Sequence, residues 1–130
     1  MFPFRKREDS KPESVKPAIA LIAEDEPILR MNAAEMLQDM GFAIEGAETA
    51  DQALTLLNTE NVELLITDIH MPGARDGLML AREAVERWPS LHVVICSGRT
   101  HLTDAQLPPR TKFVAKPYTM DDIEDAILSF

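Results

Sequence analysis

From residue 18 onward the chain alternates short apolar runs with longer stretches whose apolar residues recur at helical spacing. Ala18–Ala23 (AIALIA) contains no polar residue, the pattern of a strand buried on both faces. Pro27 suits the first turn of a helix, where its missing N–H is not needed. Leu29, Ala33, Met36, Leu37 and Met40 then share one helical face, and Gly41 stops the helix. Phe42–Ala47 predicts a weaker strand, and Ala50, Ala53, Leu54 and Leu57 mark a second helix. Val62–Thr67 (VELLIT) predicts a strand that ends at Asp68. Met71–Gly77 holds Pro72, Gly73 and Gly77 and reads as a loop. Leu78, Ala81, Val85 and Trp88 mark a third helix closed by Pro89, and Leu91–Ser97 (LHVVICS) is another strand. Residues 99–107 predict only a short, weak helix, cut off by Pro108 and Pro109. Lys112–Ala115 is a short last strand, and Thr119–Phe130 a final helix with Met120, Ile123, Ile127 and Phe130 inward.

The pattern is five strand–helix units in succession. Alternation of this kind implies an α/β, doubly wound parallel sheet covered on both faces. Right-handed crossovers restrict its topology, and the strand order 2-1-3-4-5 is the usual solution. In such sheets the functional crevice lies beyond the carboxyl ends of the strands. Those ends carry Glu24 and Asp25 after the first strand, Asp68 after the third, Ser97 after the fourth and Lys116 after the fifth. An Asp or Ser at one strand end is an ordinary turn former. Three carboxylates, a hydroxyl and an ammonium from four strands are not explained that way.

Clustered carboxylates raise one another's pKa, and a divalent cation relieves the repulsion. Hard oxygen ligands suit Mg²⁺, which keeps several waters and shares itself with phosphate oxygens. The set has the parts for phosphoryl transfer to a carboxylate. Asp68 is the expected nucleophile, with the cation and Lys116 offsetting charge on the transferring group and Ser97 donating a hydrogen bond.

Composition narrows the class. At 130 residues the chain is one domain in size, and no apolar run nears the ~20 residues that span a bilayer. Residues 1–17 hold five Lys/Arg, three Asp/Glu and three prolines without apolar periodicity, and read as a flexible N-terminal arm before a domain at 18–130. The remainder holds eight basic and nineteen acidic residues, a net of −11, which argues against binding a phosphate backbone. The start lacks the apolar stretch of a secretory signal, and the single Cys96 excludes an internal disulfide, so the expected location is cytoplasmic.

The motifs, taken in order, resemble the response-regulator receiver family. AEDE at Ala23–Glu26 resembles its acidic pair, and DIHMPGARDG at Asp68–Gly77 its phosphorylation loop. SG at Ser97–Gly98 resembles its hydroxyl position, and KPY at Lys116–Tyr118 its lysine–proline signature. The likeness covers Ala18 to Phe130. It implies the flavodoxin-like (CheY-like) fold, Mg²⁺ as cofactor and Asp68 as phosphoacceptor. It implies that Asp25 and Asp68 ligate Mg²⁺ with the backbone carbonyl of His70, and that Glu24 acts through water. It further implies that Ser97 and Phe113 form the switch, that Lys116 pairs with the phosphoryl group, and that Lys116–Pro117 is cis. The implied function is a stand-alone signalling module, with no room for a separate DNA-binding output domain. It would be phosphorylated by a sensor histidine kinase or histidine phosphotransfer protein and would act on a downstream protein. It is not expected to be an enzyme acting on other molecules. The stretch from Ser97 to Lys116 is a few residues short for the family.

Blander readings apply elsewhere. His70 reads as an idle loop histidine, Arg99 as a solvated loop charge, and His92 and His101 have no identifiable partners. Cys96 reads as a small buried hydrophobe, the methionines mostly as core filler, and Trp88 as packing. Asp121, Asp122, Glu124 and Asp125 suit the dipole at the start of the last helix. Two other functions compete: a phosphohydrolase with an aspartyl-phosphate intermediate, and an interaction domain of the same fold that needs no phosphorylation. The first commonly has an Asp two residues after its nucleophile, where this chain has His70. The intact acid, hydroxyl and lysine set speaks against the second.

Overall fold

The computed structural model describes residues 16–130. The expected flexible arm lies outside the described residues, apart from Lys16 and Pro17. The strands are β1 (Ile19–Ala23), β2 (Ala43–Ala47), β3 (Val62–Asp68), β4 (His92–Ser97) and β5 (Thr111–Ala115). They form one parallel sheet in the order β2-β1-β3-β4-β5, as the pattern predicts. The helices are α1 (Pro27–Asp39), α2 (Ala50–Thr59), α3 (Gly77–Arg87) and α4 (Met120–Leu128).

Unbroken apolar runs are needed because successive strand residues face opposite sides of the sheet, and both sides are covered. Leu21, Leu65, Val93 and Ile95 pack against α2 and α3. Their neighbours Ala20, Ile22, Leu64, Ile66 and Val94 pack against α1 and α4 on the other side. Fully burying a leucine or isoleucine contributes about 1.5–3 kcal/mol, so the central strands β1, β3 and β4 anchor the domain.

Helix starts follow local chemistry. The side chains of Thr49 and Asp76 accept hydrogen bonds from the backbone N–H groups of Gln52 and Met79, capping α2 and α3. Thr119 and Asp122 form a reciprocal capping box at α4. The start of α1 has no side-chain cap and relies on Pro27. Gly41, at φ 100°, ends α1 in the left-handed region that glycine tolerates. The inward stripe of α3 is Leu80, Ala81, Ala84 and Val85, displaced from the expected one; Leu78 and Trp88 are only partly buried. Arg87 lays its guanidinium over the Trp88 ring, 4.5 Å from the centroid.

The expected helix at 99–107 does not form. In its place stands a single 3₁₀ turn, Asp104–Gln106, capped by Thr103 and Gln106. An isolated helix this short is marginal. The segment has only Leu102 and Leu107 to pack on the core, and Pro108 and Pro109 bar its extension. The fold thus has three strand–helix units, then β4 joined to β5 by a loop, with α4 following β5. The chain enters β5 through Arg110 at φ 54°, whose guanidinium donates to the carbonyl of Val85 at 2.6 Å near the end of α3.

Candidate functional site at the carboxyl edge of the sheet

Strand register brings the predicted residues to one level. Ala23 lies opposite Thr67 and Thr67 opposite Ile95, while Asp68 lies opposite Cys96 and Ser97 opposite Ala115. Glu24, Asp68, Ser97 and Lys116 therefore leave their strands within a residue or two of a common line. Glu24 is held at both backbone groups: its N–H donates to the carbonyl of Ala47 at 2.9 Å, and its carbonyl accepts from Arg30 Nη1 at 2.8 Å.

The Glu24 carboxylate is buried. Its Oε1 accepts from Lys116 Nζ at 2.8 Å, and its Oε2 from the backbone N–H of Glu26 at 3.3 Å. Lys116 Nζ also lies 3.4 Å from Asp68 Oδ2. Asp25 completes the acidic group: one carboxylate oxygen each from Glu24, Asp25 and Asp68 lie within 4.8 Å of one another.

Three carboxylates face one ammonium, so the site is short of positive charge. Burial pushes the Glu24 pKa up, against the opposing pull of the Lys116 hydrogen bond, the Glu26 amide and the lysine's charge. Burial works against the Lys116 ammonium too, but its hydrogen bond to Glu24 and the charge of Asp68 outweigh it and raise the lysine pKa. The lysine is thus firmly cationic while the glutamate carries the strain of the cluster. An all-carboxylate donor set with uncompensated charge fits a hard divalent cation such as Mg²⁺.

The loop after Asp68 is folded tightly beneath it. Gly77 N–H donates to the carbonyl of Ile69 at 2.7 Å, and a Cβ at Gly77 would run into the carbonyl oxygen of Asp68. That same carbonyl accepts from the hydroxyl of fully buried Thr67 at 2.9 Å. Ser97 is fully buried at the end of β4, and its Oγ accepts from the backbone N–H groups of Thr100 at 3.1 Å and Arg99 at 3.3 Å. Its carbonyl accepts from the N–H of Lys116 at 3.0 Å, and the Lys116–Pro117 bond is cis. Burial pushes the Cys96 thiol up to about 12, so it stays protonated.

Several idle readings need correction. His70 is exposed but engaged: its Nε2 lies 3.0 Å from the hydroxyl of Thr100. His101 packs against Phe113, with centroids 5.7 Å apart and rings edge-on, and His92 lies against Phe130 at 4.7 Å. The methionines mostly fill core as read, with Met36, Met40 and Met71 packed against it, while Met31 and Met79 are 60% and 48% exposed. Arg99 is exposed, and its backbone N–H serves Ser97. Thr67, Arg30 and Thr100 were not singled out in the sequence. Their partners lie on backbone or distant loops, and no spacing rule signals them.

An apolar groove of about 490 Å³ adjoins the site, lined by Leu29, Met36, Gly98, Lys116, Pro117 and Tyr118. Exposed Ile28 and Met31 lie on the same helix, α1. A second groove, of about 610 Å³, runs along β5 and α4, lined by Phe113, Val114, Ala126, Asp104, Asp122 and Asp125. Among the described residues no helix is long and apolar enough to cross a membrane.

Comparison with known proteins agrees with this geometry. The response regulator receiver domain family matches residues 20–128. The transcriptional regulatory protein PdtaR of Mycobacterium tuberculosis is 33% identical over 88% of this chain, which spans 57% of PdtaR's own length. The response regulator receiver protein CpdR of Brucella abortus is 31% identical over 82% of this chain and 91% of its own. The crystal structure of a response regulator receiver protein from Sinorhizobium medicae superposes with a TM-score of 0.79 at 28% identity, covering 86% of this chain and 92% of that one. The sheet order, the acidic edge with its lysine and these likenesses agree: the chain belongs to the response regulator receiver domain family.

Proposed function

We propose that residues 18–130 form a receiver that works in the cytoplasm. It accepts a phosphoryl group on Asp68 from the phosphohistidine of a sensor histidine kinase or histidine phosphotransfer protein. The observation that carries this reading is the convergence of Glu24, Asp25 and Asp68 with Lys116 bridging Glu24 and Asp68. The match to CpdR, itself a receiver protein, over 91% of its length supports the receiver reading.

In the transfer an Asp68 carboxylate oxygen attacks phosphorus. The phosphorus–nitrogen bond of the donor breaks, and its electron pair stays on the imidazole. Lys116 stands where negative charge on the phosphoryl oxygens needs a counter-charge. Asp25 and Asp68, with the backbone carbonyl of His70, would hold Mg²⁺, and Glu24 would reach it through water. When bound, the cation supplies charge neutralisation that one lysine cannot. The module acts on itself, not on other molecules as an enzyme would.

The phosphoryl group gives Ser97 a charged acceptor, stronger than the neutral contacts it now has. Ser97 leaves the amides of Arg99 and Thr100, and Phe113 on neighbouring β5 changes rotamer with it. Phe113 lines the groove along β5 and α4, which a downstream protein would read. Exposed Ile28 and Met31, on the helix that follows the acidic pair, offer an apolar footing for the donor protein.

The test is direct. The protein is incubated with a small phosphodonor and Mg²⁺, and the acid-labile label is mapped. Label is expected on Asp68 and absent in Asp68→Asn; undiminished labelling of that variant would overturn the reading.

A further inference from the structure

Asp68 is followed two residues on by His70, whose Nε2 shares a hydrogen bond of 3.0 Å with the hydroxyl of Thr100. The backbone N–H of Thr100 in turn donates to the Ser97 hydroxyl at 3.1 Å. The next residue, His101, lies edge-on against Phe113. Residues 97–101 are thus tied at one end to the loop that carries the acceptor and at the other to the aromatic of β5. Thr100 stands between, with its side chain toward one loop and its amide toward Ser97. We propose that Thr100 is a positioning residue of the switch. Its hydrogen bond to His70 holds the loop after β4 so that the Ser97 hydroxyl stays on its own backbone until Asp68 is phosphorylated.

The physical case is a competition over where one hydroxyl sits. Ser97 Oγ accepts from two amides, which uses both acceptor positions of a hydroxyl and fixes where the oxygen sits. To turn toward a phosphoryl oxygen, Ser97 must abandon those amides or draw the loop along with it. The tether to His70 resists the second course. A charge-assisted hydrogen bond is roughly twice as strong as a neutral one, so the bond that the Ser97 O–H donates to a phosphoryl oxygen can offset the two amide contacts it leaves, as a neutral acceptor could not. Because His101 adjoins Thr100, movement of this loop is carried to Phe113 through a ring contact already in place.

The proposal rests on Asp68 as acceptor and Ser97 as its hydroxyl partner, but its core is testable without phosphorylation. Amide exchange at Arg99 and Thr100 is measured in the unphosphorylated protein, for Thr100→Val, His70→Ala, the double variant and Thr100→Ser. Loss of one neutral hydrogen bond should speed local exchange about fivefold in either single variant. Thr100→Ser should restore the wild-type rate. The double variant should exchange no faster than the singles, because both remove the same bond. The His70 ring-proton resonances should shift in Thr100→Val and return in Thr100→Ser. Wild-type exchange in Thr100→Val, or single-variant effects that multiply in the double, would overturn the tether. In a parallel measurement with a small phosphodonor and Mg²⁺, phosphorylation should speed exchange at residues 99–101 less in Thr100→Val than in wild type. An equal increment in both would overturn the restraining role. Failure of wild-type Asp68 to label would instead refute the acceptor assignment, and the metal-free cycle would still decide the tether.

Discussion

The ammonium of Lys116 lies 2.8 Å from Oε1 of Glu24, closer than to the expected acceptor Asp68, at 3.4 Å. The lysine is held mainly by a buried acid that is not the proposed acceptor. Asp68, the proposed acceptor, keeps the weaker claim on it. Lys116→Ala would leave Glu24 buried with only an amide contact on its carboxylate. The metal-free variant should lose about 2 kcal/mol of stability, less than a fully orphaned buried charge because the lysine side chain keeps 19% exposure. Mg²⁺ should then raise the melting temperature of the variant more than that of wild type. Equal shifts in thermal melts would show that lysine and cation do not share the same charges.

Glu24 and Lys116 also set a pH dependence. Glu24 has a raised pKa in the fold, so its contribution is favourable below the ordinary value of 4.5 and is lost as pH rises through the raised one. Lys116 is raised as well, so its contribution persists across neutral pH and is lost above its ordinary 10.5. In urea melts without metal, wild type should lose stability relative to Glu24→Gln as pH rises from about 4 to about 7. Parallel curves would mean that burial of the glutamate has no such effect.

Gly77 allows the acceptor loop to close, since a side chain there would meet the backbone of Asp68 and Ile69. Gly77→Ala should cost about 3 kcal/mol, as overpacking against backbone does. Gly98→Ala is the control, because its Cβ would meet Lys116 Cβ at an ordinary 3.6 Å. A Gly77→Ala variant with the urea midpoint of wild type would disprove the close approach.

Ile28 and Met31 are 72% and 60% exposed on α1, the helix that also contributes Leu29 and Met36 to the groove at the site. Ile28→Asp with Met31→Asp should slow phosphoryl transfer from a phosphohistidine protein at least about tenfold, the effect of ~1.4 kcal/mol. Labelling by a small donor should change far less. An equal loss with both donors would place the effect in the site chemistry and not in docking.

The sequence by itself determined the alternation of strands and helices, the strand order and the residues at the carboxyl edge. These follow from local rules: a run such as AIALIA must be buried on both faces, and parallel right-handed crossovers admit few arrangements. Chain direction in a parallel sheet then sends Glu24, Asp68, Ser97 and Lys116 to one edge whatever the packing details. Tertiary structure decided what depends on partners far along the chain. Lys116 chose Glu24, 92 positions away, because burial rewards the closest charge pair. His70 found Thr100 across 30 positions because two loops happen to end side by side. The segment 99–107 failed to become a helix because two leucines bury too little to offset the ordering of a short helix ended by prolines. Spacing along a chain reports which face a residue occupies; it does not report which distant group will be opposite it.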